Sequence, residues 1–128
     1  MQYEPSAEEL LASVAELLED ELLPALPDAL KHKCRVAASL ARILEREQRL
    51  GPEAAARERE RLRALVGDGD AGGAGHGDDA VALSRRLAAR IREDDDPGFR
   101  QRAWDALVAI ARDDLAIAKP GHDTWEGT

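Results

Sequence analysis

A chain of 128 residues is long enough for one domain, which at this length buries roughly two thirds of its unfolded surface without metal or disulfide support. The net charge of −8 disfavours nucleic acid and anionic membranes as main partners, because both are bound through cationic side chains. The single cysteine excludes an internal disulfide, and no apolar run approaches the roughly 20 residues that span a bilayer. With neither a basic leader nor a continuous apolar stretch at its start, the sequence predicts a cytoplasmic protein.

The composition favours helices throughout. Alanine, leucine, glutamate and arginine are abundant, and aromatic residues make up only 3%, so a core must come from aliphatic side chains on closely approaching helices. No segment alternates apolar and polar residues as a half-buried strand does. We therefore predict an all-α fold, a single domain over residues 1–128 that is built as a bundle of four to five helices.

The first helix is predicted to begin at a capping box, in which Ser6 and Glu9 each satisfy a backbone amide of the first turn. Pro24 and Pro27 bracket a short turn after this helix, which predicts an antiparallel hairpin between residues 8–23 and 28–50. The apolar residues of the first helix recur at helical spacing and form one stripe, which consists of Leu10, Leu11, Val14, Leu17, Leu18 and Leu22.

The segment 28–50 is predicted to be the central helix, because its apolar arc is wider than one neighbouring helix can cover. Gly51 followed by Pro52 predicts that this helix ends there and that a third helix covers residues 52–66. The bundle core is expected to contain large aliphatic side chains from several helices, namely Leu17, Leu18, Leu40, Leu44, Leu107 and Ile110.

Residues 67–77 contain six glycines and no bulky apolar residue. Asp78 and Asp79 follow where a phosphate-binding loop needs a lysine and a hydroxyl residue, so this stretch is interpreted as a flexible linker, with a ligand role as the alternative. A fourth helix is predicted for residues 78–93. Asp96 and Pro97 suit the cap and first position of a fifth helix, residues 97–118, and a loose tail follows at residues 121–128.

A basic cluster, KHKCR at residues 31–35, lies near the start of the central helix, where the helix dipole disfavours positive charge. The acidic part of the first helix, residues 16–21, is the simplest source of compensating charge. The alternative is an anionic ligand, which would be bound by Lys31, His32 and Arg35.

Other residues that could carry chemistry have no recognisable arrangement. The three histidines are far apart in the sequence, and none has the spacing of a metal site. Asp113 and Asp114 are neighbours on a helix, where adjacent side chains diverge by about 100 degrees. Cys34 is interpreted as a small buried apolar residue. We therefore predict no catalytic residue, no metal and no cofactor.

Several stretches together resemble a bacterial family of small helical proteins that contain a domain of unknown function. The resemblance rests on PSAEELL at residues 5–11, LLPAL at 22–26, RVAASL at 35–40 and DLAI at 114–117. It carries no established activity. It implies a genomic setting beside aminoglycoside-phosphotransferase-like kinases and acyl-CoA dehydrogenases, and therefore a kinase-like partner.

Two functions of different classes follow from these observations. The first is a non-catalytic helical accessory protein that associates with itself as a homodimer or with a phosphotransferase-like kinase. Its interface is expected at the uncovered apolar edge of the central helix, near Val36, Ile43 and Leu50. The second is a small enzyme or ligand-binding bundle that binds an anion through the basic cluster around Arg35.

Overall fold

The computed structural model describes residues 4–67 and 80–124. Within these ranges the chain is helical and has no strand, which confirms the all-α fold. Four helical segments follow one another: α1 comprises Ala7–Glu16, Leu17–Leu22 and Leu23–Ala25, α2 is Asp28–Val66, α3 is Ala80–Glu93 and α4 is Pro97–Ala118. The predicted linker, apart from Gly67, and the last four residues of the predicted tail lie outside the described residues. No helix in the described part of the chain is long and apolar enough to cross a membrane.

Helix α1 begins at the predicted capping box, which the structure confirms. The Ser6 hydroxyl oxygen accepts from the Glu9 amide at 3.3 Å, and the Glu9 carboxylate accepts from the Ser6 amide at 3.3 Å. Over Leu17–Leu22 the helix widens into a π-helix, for which the sequence pattern gave no signal. Each amide there bonds five residues back instead of four, so residues five apart come to lie on nearly the same face. Leu17 therefore shares a face with Leu22.

Helix α2 runs without interruption through Gly51 and Pro52, so the predicted stop at this pair is wrong and the predicted second and third helices are one. Gly51 does not adopt the positive φ of a glycine that ends a helix. Proline disfavours the helical conformation of the preceding residue partly by contact with its Cβ, and Gly51 has no Cβ. The helix loses one backbone hydrogen bond at Pro52, because proline has no amide hydrogen.

The chain divides into two compact units at this proline. The N-terminal unit is Met1–Pro52 and the C-terminal unit is Glu53–Thr128. The prediction of a single domain over residues 1–128 stays a prediction.

The C-terminal unit has a core of large side chains. Phe99 and Leu83 are fully buried, and Ile110 packs against their cluster as predicted. Leu107, also predicted for the core, is 42% exposed, so that prediction is wrong. The buried cluster draws on three helices and consists of Leu62, Leu65, Leu83, Leu87, Phe99 and Ala103.

Arginine side chains of α3 donate hydrogen bonds to backbone carbonyls at the C-terminal end of α2. The last carbonyls of a helix need such donors because they have no partner within the helix. Arg86 donates to the Gly67 carbonyl at 2.7 Å, and Arg90 donates to the carbonyl of Leu65. The Arg90 guanidinium also lies 4.0 Å from the centre of the Phe99 ring. At the start of α4 the Asp96 carboxylate accepts from the amides of residues 98 and 99, which confirms the predicted cap.

In the described part of the N-terminal unit, the buried residues are all small: Ala15, Cys34, Ala38 and Ala41. The prediction of a leucine core in this unit is wrong, because Leu17, Leu40 and Leu44 are between 45% and 56% exposed and Leu18 is half-buried. Small residues let two helices approach closely along a narrow line, which leaves the larger side chains on either side of that line uncovered.

Candidate functional site

A pocket of about 340 Å³ opens on one side of the N-terminal unit. Four polar residues of α2 line it at positions 35, 39, 42 and 46, a spacing that keeps them on one stripe of a helix. We call it the arginine pocket, and its walls are formed by Leu18, Glu19, Leu23, Cys34, Arg35, Ala38, Ser39, Arg42 and Arg46.

Three hydrogen bonds join α1 to α2 at this pocket. The Arg42 guanidinium donates to both carboxylate oxygens of Glu19, at 3.3 and 3.1 Å. This bond from Arg42 lowers the pKa of Glu19 below its usual value, and the same bond raises the pKa of Arg42. The Cys34 thiol donates to the Leu18 carbonyl at 3.3 Å, and Cys34 is buried as predicted. These contacts support the predicted hairpin of residues 8–23 and 28–50, which stays a prediction.

An exposed apolar surface lies on the N-terminal unit away from the pocket. Residues two apart on a helix point to nearly opposite sides. Leu17 is two residues from Glu19, and Leu40 and Leu44 are each two residues from Arg42. Because Glu19 and Arg42 meet at the pocket, these leucines lie on the other side. Leu17, Leu40 and Leu44 are placed on this surface by their spacing. We use the name apolar face for these three together with the other exposed large aliphatic side chains of the unit, namely Leu10, Val14, Leu22, Leu30 and Val36.

The apolar face is large for so small a unit. Its eight side chains are between 40% and 56% exposed. Their uncovered apolar surface is on the order of 600 Å², the upper end for a single patch on a monomeric protein. The π-helix contributes to the apolar face, because its wider turn places Leu22 on the same side of α1 as Leu17.

The predicted interface residues are only partly on this face. Val36 is exposed and belongs to it, whereas Ile43 and Leu50 are half-buried. The predicted interface therefore stays a prediction, and the structure extends the exposed surface to both helices, including Leu17 and Leu40.

Of the three predicted anion-binding residues, Arg35 lines the arginine pocket and Lys31 and His32 do not, and the anion site stays a prediction. Lys31 pairs with Asp28 of its own helix at 3.1 Å, and His32 is exposed outside the pocket lining. Arg35 alone lines the pocket, where Arg42 and other residues that the sequence analysis did not select join it. Their helical spacing was a signal in the sequence, and residues 16–21 were predicted to compensate the basic cluster at residues 31–35. The pair that the structure shows joins Glu19 of that acidic stretch to Arg42, which lies outside the cluster.

A family described as a domain of unknown function, DUF6285, matches residues 24–122. The chain belongs to the DUF6285 family. The matched region includes all of α2, and therefore Arg35, Arg42 and Arg46, whereas the three pocket residues of α1, namely Leu18, Glu19 and Leu23, precede it. Neither the curated proteins nor the solved structures contain a match to this chain.

The DUF6285 chain also holds an ion cluster in its C-terminal unit, around one of the two adjacent aspartates. Asp113 accepts from Arg57 at 3.0 Å and from Arg61 at 2.8 Å, while Asp114 is exposed. Burial raises the pKa of Asp113, but the hydrogen bonds and charges of Arg57 and Arg61 lower this pKa by a larger amount. The pKa of Asp113 therefore lies below its usual value. Among the described residues, no group of three or more histidine, cysteine, aspartate or glutamate side chains could hold a metal ion.

Asp113→Asn should lower the melting temperature at pH 7 and have little effect at acidic pH. A carboxylate with a depressed folded-state pKa stabilises the fold above its ordinary pKa of about 3.9, and that stabilisation is lost as the pH falls through the folded value. Thermal melts between pH 7 and pH 2.5 should show the two curves converging, with the exposed Asp114→Asn as the matched control. A gap of equal size at every pH would contradict this role.

Proposed function

We propose that this chain is a non-catalytic helical accessory protein of the bacterial cytoplasm that acts by association through the apolar face. The observation that carries the proposal is that small side chains are buried and large aliphatic side chains are exposed in the described part of the N-terminal unit. Among residues 4–52, the buried ones are three alanines and one cysteine, while eight large aliphatic side chains are exposed. Exposed apolar patches of this size usually mark interaction sites, because leaving them in water costs free energy.

The exposed area of the apolar face fits best a homodimer, in which a second copy of the chain covers it. Two apolar faces would bury on the order of 1,200 Å² in total, which is sufficient for a specific interface. One surface can pair with itself across a two-fold axis, and two helical pairs that meet through their apolar sides form a four-helix bundle. The resemblance to a family found beside phosphotransferase-like kinases makes such a kinase the alternative occupant.

Analytical ultracentrifugation of the full chain at micromolar concentration tests the proposal. We expect the mass of a dimer, or a complex with the kinase-like protein encoded beside it when the two are mixed. Dilution should shift the dimer toward the monomer by mass action. A strict monomer that also fails to bind the kinase-like protein would contradict the proposal.

A further inference from the structure

The α2 side of the apolar face has a symmetric arrangement around Leu40. Val36 lies four residues before Leu40 and Leu44 lies four residues after it, and all three side chains are exposed. One heptad from Leu40 in each direction there is an exposed charged residue, Lys33 before it and Glu47 after it. Residues that are three, four or seven positions apart lie along one stripe of a helix. This stripe therefore has large apolar side chains at equal spacing about its middle and opposite charges at its two ends.

Lys33 and Glu47 have no charged neighbour on their own stripe. The residues three and four positions away from each of them are uncharged, so neither forms the usual ion pair within a helix. About 21 Å of helix, at 1.5 Å per residue, separates the two from each other. Among the described residues neither takes part in an ion pair, whereas Lys31, Arg42 and Arg49 of the same helix do.

We propose that the second copy of the chain packs with its α2 antiparallel to the first, so that Lys33 of each copy pairs with Glu47 of the other. This inference rests on the proposed function, because it needs a homodimer formed through the apolar face. A two-fold axis beside Leu40 brings position 33 of one copy opposite position 47 of the other. The same axis places Leu40 against its own copy and Val36 against Leu44.

The charges favour this antiparallel arrangement over a parallel one. In a parallel dimer each residue meets its own copy, so Lys33 would face Lys33 and Glu47 would face Glu47. Like charges that face each other across an interface repel, whereas opposite charges attract and fix the register. Helices that cross at about 20°, as in four-helix bundles, diverge by only about 4 Å over one heptad, which long side chains span.

Charge reversal tests the register, with the dissociation constant of the full chain measured by analytical ultracentrifugation at low ionic strength. Lys33→Glu alone, and Glu47→Lys alone, each replace two attractive pairs of the dimer by two repulsive ones. The dissociation constant should rise by about tenfold in either variant. Lys33→Glu combined with Glu47→Lys re-forms both pairs with reversed sign, so the constant should return to within about threefold of the parent.

The matched control is Arg35→Glu combined with Glu47→Lys, which has the same net charge as the first double variant. Arg35 is exposed and two residues from Lys33, so its side chain leaves the helix on nearly the opposite side. This control should stay as weak as Glu47→Lys alone. Recovery in the control as well would mean that net charge, and not the register, determines the affinity. Circular dichroism should show parental helix content for every variant.

Cross-linking provides a second measurement, in a Cys34→Ala background. Chains with Lys33→Cys are mixed with chains with Glu47→Cys and treated with a short bis-maleimide, and the product should join one chain of each kind. Lys33→Cys chains linked to each other would overturn the antiparallel arrangement.

The outcomes separate this inference from the proposed function. A dimer that the first double variant does not restore overturns the register, as it would if Lys33 paired with an acid of α1, and leaves association through the apolar face in place. A chain that is monomeric alone also overturns the register. It overturns the proposed function as well only if the kinase-like protein does not bind.

Discussion

Leu40→Glu should convert the proposed dimer into a monomer. Leu40 is 56% exposed in the isolated chain and lies within the apolar face, so each substitution would place two carboxylates in the interface of a symmetric dimer. Removing a carboxylate from water without a partner costs several kcal/mol, and the dimer should therefore weaken by about 100-fold or more. Sedimentation or light scattering at micromolar concentration should report half the parental mass.

The matched control for this substitution is Arg49→Glu. It adds the same carboxylate to an exposed position of the same helix, and Arg49 is nine residues from Leu40, a spacing that places it on the opposite side of the helix, so the proposed dimer should persist. Thermal melts should show that the Leu40→Glu monomer stays folded, because glutamate is a good helix former and Leu40 contributes little to the buried core. A dimer that survives Leu40→Glu, and Leu44→Glu as well, would place the interface elsewhere.

Leu83→Ala should cost about 2 to 5 kcal/mol of the free energy of unfolding of the C-terminal unit, and Phe99→Ala about 3 to 5 kcal/mol. Both side chains are fully buried in one cluster, so truncation leaves a cavity that the neighbouring helices fill only in part. Phe99→Ala also removes the ring on which the Arg90 guanidinium lies. Urea unfolding followed by circular dichroism measures both losses.

Leu107→Ala is the matched control, because it removes the same atoms as Leu83→Ala from a side chain that is 42% exposed on the same unit. Its cost should stay below about 1 kcal/mol, since little apolar area returns to water. Equal costs for Leu83→Ala and Leu107→Ala would mean that the burial of Leu83 does not determine the stability of this unit.

The helix starts that follow Ser6 and Asp96 were determined by the sequence itself, whereas the helix end predicted at Gly51 and Pro52 does not form. Ser6 with Glu9 and Asp96 with Pro97 act within one turn, so their effect depends on neighbouring residues in the chain alone. The helix after Pro97 was predicted with the bounds that the structure shows, again because local signals mark both ends.

Which side of each helix is covered was decided only by the tertiary structure. Helical periodicity shows that Leu40 and Leu44 lie on an apolar side, but it does not show whether a neighbour covers that side. In the N-terminal unit the contact is made by alanines and Cys34, so the leucines stay in water. The bond between Glu19 and Arg42 likewise joins residues 23 positions apart, and no local pattern selects that pairing over the other acids and bases nearby. Local interactions fix the conformation of a segment, whereas burial and ion pairing depend on which segments meet, and that is a property of the whole fold.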